Sequence, residues 1–155
     1  MFEVNARIQD IKQLEVIIKP FAQYIQGGLI TLQGDLGVGK TSFVRGLLRE
    51  LGWQAAVKSP TFSLMEYYTL GRLRIYHFDL YRLMDETELE YVGFREILLP
   101  EHLVFVEWPQ RVPSLLERAD IQLHWKYDGD DRMLSIRGRD KAFFEDLNRR
   151  VRATE

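Results

Sequence analysis

Cysteine is absent from this chain of 155 residues. That excludes disulfides, thiolate metal sites and thiol nucleophiles, and it fits a reducing compartment. The three histidines, His77, His102 and His124, have no ligand partners at useful spacing, so a zinc site is not expected. No apolar run approaches the ~18 residues a membrane helix needs. The start, Met1-Phe2-Glu3-Val4-Asn5, has neither the basic segment nor the apolar core of a secretory signal. A soluble, cytoplasmic protein without membrane association is therefore expected. Repeats, low-complexity tracts and Pro/Gly-rich linkers are missing too, so a single domain over residues 1–155 is expected. Trp53, Trp108 and Trp125 form no aromatic ladder of the kind that stacks RNA bases.

What is present resembles ordinary globular usage, with 46% hydrophobic and 28% charged residues, enough to build a real core. The net charge of -2 is far from the basic balance of a nucleic-acid binder. It is unevenly spread. Asp79 to Glu101 holds seven acids against Arg82 and Arg95, and Arg137 to Arg152 holds six bases against Asp140, Glu145 and Asp146. Solvated faces account for both runs, and a docking surface for a basic partner is the alternative for the acidic one.

Apolar spacing predicts a helix from Asp10 to about Gln26, with Asp10 and Gln13 at capping-box spacing, and a second from about Lys40, stopped by Gly52. Leu29 to Gln33 and Leu103 to Trp108 read as buried strands. Phe62 to Tyr68 and Leu73 to Asp79 read as one hairpin. Ile121 to Tyr127 and Met133 to Arg137, around Asp128-Gly129, read as another. The acidic stretch suggests a short helix, and Asp140 to Val151 a closing one. The expected fold is α/β, a P-loop NTPase-like three-layer sandwich with a mostly parallel core sheet and added antiparallel hairpins.

Gly34-Asp35-Leu36-Gly37-Val38-Gly39-Lys40-Thr41 satisfies G-x-x-x-x-G-K-[ST] in full, between an apolar strand and an amphipathic helix. The glycines let backbone N–H groups turn inward around phosphate oxygens, and the helix N-terminus adds a favourable dipole. Lys40 is placed to reach the β- and γ-phosphates and the Thr41 hydroxyl to ligate Mg²⁺, with Ser42 counted among the nucleotide contacts. Leu103-Val104-Phe105-Val106-Glu107 is an apolar run ending in a carboxylate, a Walker B pattern with Glu in place of Asp, and marks Glu107 as the second metal contact. GTPases read guanine through Asn-Lys-x-Asp. The only asparagines are Asn5 and Asn148, so ATP is favoured. Two classes remain: a compact regulatory ATPase, or a small P-loop kinase phosphorylating a nucleoside or other small molecule. For the kinase only Arg111 and Arg118 follow Glu107 as lid candidates. Asp79 reads equally as a turn cap or as a hydrolytic acid, Thr61 as a strand start after Pro60 or as a switch hydroxyl, and His77 as a core or edge residue.

Lys58-Ser59-Pro60-Thr61-Phe62, His77-Phe78-Asp79-Leu80-Tyr81-Arg82-Leu83 and Val106-Glu107-Trp108-Pro109, with the phosphate loop before them, closely resemble the TsaE (YjeE) family of tRNA threonylcarbamoyladenosine biosynthesis ATPases. The resemblance runs from about Leu29 to Trp108 in the same order. It implies an ATPase that helps form N6-threonylcarbamoyladenosine at position 37 of tRNAs reading ANN codons. It also implies docking on a TsaB-TsaD heterodimer that performs the carbamoyl transfer, with tRNA met only through that complex. By the same resemblance Lys40 and Thr41 contact phosphate and Mg²⁺, Glu107 is the Walker B ligand and Asp79 the hydrolytic acid. Thr61 is then the switch hydroxyl, Trp108 lies beside the metal site, and Arg132 lies near the nucleotide. Asn5-Ala6-Arg7-Ile8 departs from the family's Ser/Thr-rich start near the adenine.

Overall fold

The computed structural model describes residues 1–155. At its centre is β2 (Gly28–Gln33), in which the consecutive Leu29, Ile30, Thr31 and Leu32 are all buried. A strand with no exposed face needs cover on both sides, which parallel neighbours and crossover helices supply. β2 lies between β5 (His102–Glu107) and β6 (Ile121–Asp128), with β4 (Leu73–Asp79) beside β5, and these four run parallel. Antiparallel strands flank them: β3 (Met65–Leu70) on β4, and β7 (Asp131–Gly138) on β6 with β1 (Phe2–Ile8) beyond it. The seven strands make one sheet, in the order β1-β7-β6-β2-β5-β4-β3.

Three longer helices, α1 (Ile11–Tyr24), α2 (Lys40–Leu51) and α6 (Lys141–Arg152), bury their apolar stripes against one face. Phe21 sits between them, edge-on to Phe43 at 5.0 Å and to Phe143 at 4.8 Å. Each such ring contributes roughly 1.5–3 kcal/mol by leaving water. The short helices α3 (Thr87–Tyr91), α4 (Phe94–Ile97) and α5 (Ser114–Arg118) close the other face, where Leu89, Phe94, Ile97 and Leu115 pack with Phe78, Val104 and Val106. The expected three-layer α/β sandwich, parallel at its centre and antiparallel at its edges, is the architecture found.

The local differences have physical causes. β1 was not anticipated, although Val4, Ala6 and Ile8 alternate with exposed residues at the period of a half-buried strand. α1 ends at Tyr24, two residues short of the expected Gln26. Asp10 caps α1 by accepting from the Gln13 N–H at 3.1 Å, whereas the Gln13 side chain reaches past Asp10 to the Gln9 N–H. The acidic stretch forms two short helices, because Gly93 turns left-handed at φ 73° between them. β3 starts at Met65, later than the expected Phe62. Pro60 to Leu64 instead closes a turn through Leu64 N–H to Pro60 O at 3.1 Å, with Leu64 at φ 67°, and this leaves Phe62 87% exposed.

Candidate functional site

Parallel strands place their carboxyl ends at one edge of the sheet, where ligand sites collect. β2, β4 and β5 deliver three things there: the loop from Gly34 to Gly39, Asp79, and Glu107. In register, Asp79 pairs with Glu107 and Leu32 pairs with Glu107, so the two acids and the loop are neighbours across the sheet.

The loop is held by its own core contact. Val38 is fully buried, and its N–H donates to Asp35 O at 3.2 Å. Gly34 sits at φ 153°, where a Cβ would lie 2.7 Å from Val38 Cγ1 and 3.2 Å from the Trp125 backbone oxygen. Gly34→Ala should therefore overpack this turn and cost about 1–3 kcal/mol. For a domain of this size that is a fall of roughly 2–12 °C in thermal midpoint, and an unchanged midpoint by calorimetry would refute the close approach.

Lys40, at the start of α2, is only 4% exposed. Its Nζ donates to Gly34 O and stands 4.0 Å from the centre of the Trp108 ring. Burial lowers the ammonium pKa, while the nearby charges of Glu107, Asp79 and Asp35 oppose that shift. Trp108 itself holds a left-handed backbone at φ 58°, and Tyr81 packs on its ring at 4.9 Å. The Thr41 hydroxyl donates to Glu107 Oε2 at 3.3 Å, and the same oxygen lies 2.5 Å from His77 Nε2. Asp79 Oδ1 accepts from the Tyr81 N–H at 3.0 Å, so Asp79 does cap a turn. Burial raises its carboxyl pKa above the ordinary value; the Tyr81 N–H lowers it, the Glu107 charge adds to the rise, and Lys40 and His77 lower it further.

Leu36, Gly37, Gly39, Lys40, Thr41, Ser42, Thr61, Asp79, Glu107 and Trp108, all singled out from the sequence, line one cavity of about 230 Å³. Gly34, Asp35 and Val38 do not line it: Val38 is buried beneath the loop, and Asp35 is exposed. Arg132 does not line it: its guanidinium stacks 5.3 Å from the Tyr127 ring, and its Nε is buried without a partner. Tyr127 in turn donates to Leu36 O at 3.3 Å, so Arg132 meets the loop at one remove.

Sequence reasoning missed four contributors. Ser59 lines the cavity and shares a 2.7 Å hydrogen bond with Thr61 Oγ1. His77 is tied to Glu107. Trp125 backs Gly34 and Gly39, and Tyr127 braces Leu36. Ser59 and His77 both left a signal, standing inside the segments Lys58 to Phe62 and His77 to Leu83, whereas Trp125 and Tyr127 left none.

A phosphate-type loop between a parallel strand and a helix, with a carboxylate at the end of the adjoining strand hydrogen-bonded to the loop's hydroxyl, is the arrangement of a P-loop NTPase-like fold. The family model described as "Threonylcarbamoyl adenosine biosynthesis protein TsaE" matches residues 8–134, and the chain belongs to that family. Among its relatives is the tRNA threonylcarbamoyladenosine biosynthesis protein TsaE of Haemophilus influenzae, 42% identical over 108 residues, covering 70% of this chain and 68% of that one. The protein of the same name from Bacillus subtilis is 35% identical over 132 residues, covering 84% of this chain and 82% of its own. The crystal structure of Bacillus subtilis YdiB superposes with a TM-score of 0.70 over 99% of this chain and 97% of that one, and at 24% identity it bears on the fold alone. No helix is long and apolar enough to cross a membrane.

Proposed function

We propose that this protein binds Mg²⁺-ATP on the loop from Gly34 to Thr41. It hydrolyses ATP slowly by itself, as the ATPase subunit required for N6-threonylcarbamoyladenosine formation at position 37 of tRNAs reading ANN codons. It acts in the cytoplasm with a TsaB-TsaD heterodimer, and tRNA is met through that complex. The observation that carries the reading is the convergence in one cavity of Lys40, the hydrogen-bonded pair Thr41 and Glu107, and Asp79.

The residues fit Mg²⁺. Thr41 and Glu107 offer one hydroxyl and one carboxylate, and Mg²⁺ takes few protein oxygens and fills its shell with phosphate and water. Thr41 and Glu107 would hold Mg²⁺, which would supply neutralisation of phosphate charge when bound. The protein's part is positional. The N–H groups of the loop and the α2 N-terminus cradle the phosphate chain. Lys40 leaves its contact with Gly34 O to meet the phosphates, and Trp108 limits water beside it. Asp79 holds the attacking water in line, and Thr61, on the facing turn, closes over the transferred group. Family membership supports the tRNA-modifying role.

The test is phosphate release from Mg²⁺-ATP with no acceptor, with nucleosides added, and with a TsaB-TsaD heterodimer and tRNA. Phosphate release without acceptor, together with ATP-dependent threonylcarbamoyladenosine in the full mixture, is expected. Transfer of the γ-phosphate to a nucleoside, or modification indifferent to the protein, would overturn the reading.

A further inference from the structure

His77 lies on β4, two residues before Asp79, with no surface exposed. A buried imidazole has two ring nitrogens to satisfy. Nε2 lies 2.5 Å from Glu107 Oε2, while Nδ1 is buried with no partner. An ionised carboxylate only accepts, so Nε2 carries the proton and donates. A lone Nδ1 in the core carries a desolvation cost that an apolar side chain would avoid, and the ring packs edge-on to Phe105 at 6.3 Å. The position is therefore held at some expense to stability.

The geometry points to what that expense sustains: we infer that His77 is a positioning residue that fixes the Glu107 carboxylate for the metal. His77 pairs in register with Phe105, and Nε2 reaches diagonally across to Glu107. Both hydrogen bonds to the carboxylate, from His77 and from Thr41, end on Oε2, which leaves Oε1 for the cation or its water. A glutamate has one more torsion to order than the aspartate usual in a Walker B strand. A donor on a rigid neighbouring strand removes that freedom, as outer-shell partners do at metal sites.

The inference rests on the Mg²⁺-ATP reading above, and its test separates the two. A fluorescent ATP analogue is titrated into the full-length parent, His77→Phe, His77→Gln and His77→Asn, each with Mg²⁺ and with EDTA, and thermal midpoints are measured alongside. His77→Phe should lose ~10–100-fold in Mg²⁺-dependent affinity while its affinity in EDTA stays at the parent's value. His77→Gln, whose amide nitrogen stands near the Nε2 position, should recover most of the loss, and His77→Asn, too short to reach, should not. If His77→Phe does not fold, the comparison of Gln with Asn decides. Equal Mg²⁺ dependence in the Gln and Asn variants, or in Phe and parent, overturns the role of His77. A parent that binds no nucleotide, or binds it without regard to Mg²⁺, overturns the underlying reading instead.

Discussion

Asp79→Asn should bind Mg²⁺-ATP about as well as the parent and hydrolyse it ~10²–10⁴-fold more slowly, the loss typical of a missing general base. Phosphoryl transfer is catalysed mainly by positioning and charge stabilisation, so a carboxylate that orients water acts in the transition state and little in the bound ground state. Asp79 lines the cavity with Lys40, Thr41 and Glu107. It also caps a turn through the Tyr81 N–H, and this second role predicts the opposite phenotype. Asparagine keeps an oxygen able to accept from that N–H, so the cap survives the substitution. Burial together with the adjacent Glu107 charge pushes the Asp79 carboxyl pKa upward, which marks its charge as held at a cost in the folded state. Removing the charge should therefore leave the thermal midpoint unchanged or raise it. Midpoint, nucleotide affinity and single-turnover rate measured on one preparation decide the matter. Normal hydrolysis by a well-folded variant would remove Asp79 from the chemistry. A lowered midpoint with full turnover would make it a cap only.

Lys40→Ala should weaken ATP binding by roughly 10- to 150-fold, because one charge-assisted contact contributes about 1.5–3 kcal/mol. The ammonium is poised for this. It is buried against Trp108 and touches only the Gly34 carbonyl, a neutral partner that a phosphate oxygen readily replaces. Its depressed pKa reflects burial that the surrounding carboxylates offset only in part, and a bound phosphate chain would relieve that imbalance. Alanine also removes packing beneath Trp108, so Lys40→Met, which keeps the stem and loses the charge, serves as the control. Both variants should lose affinity to a similar degree in titrations with a fluorescent ATP analogue. Parent-like affinity in Lys40→Met would show that the stem, and not the charge, carries the contact.

Much of the fold was legible along the chain because it is encoded by neighbours. The apolar run Leu29 to Leu32, the helical stripe of Phe43, Val44, Leu47 and Leu48, and the turn at Asp128-Gly129 each signal a local backbone state. The errors were local too. Alternation in β1 was overlooked, and the left-handed Gly93 and Leu64 moved two boundaries. Within the site, the phosphate loop was fully readable, since eight contiguous residues carry both its shape and its charge.

The phosphate-loop and Walker B patterns together paired Thr41 with Glu107 across 66 residues, but no pattern could state the other polar meetings: His77 and Glu107 are 30 residues apart, and Leu36 and Tyr127 are 91 apart. Each contact depends on which strands lie side by side and in what register. That is settled by burying two apolar faces at once over the whole chain. The sequence by itself determined the loop, its lysine and its hydroxyl, because backbone conformation and charge there are set by adjacent residues. The tertiary structure decided that Asp79 both caps its turn and faces the cavity, that Arg132 stands behind Tyr127 outside it, and that His77 holds Glu107, because strand order and register arise only when distant segments pack.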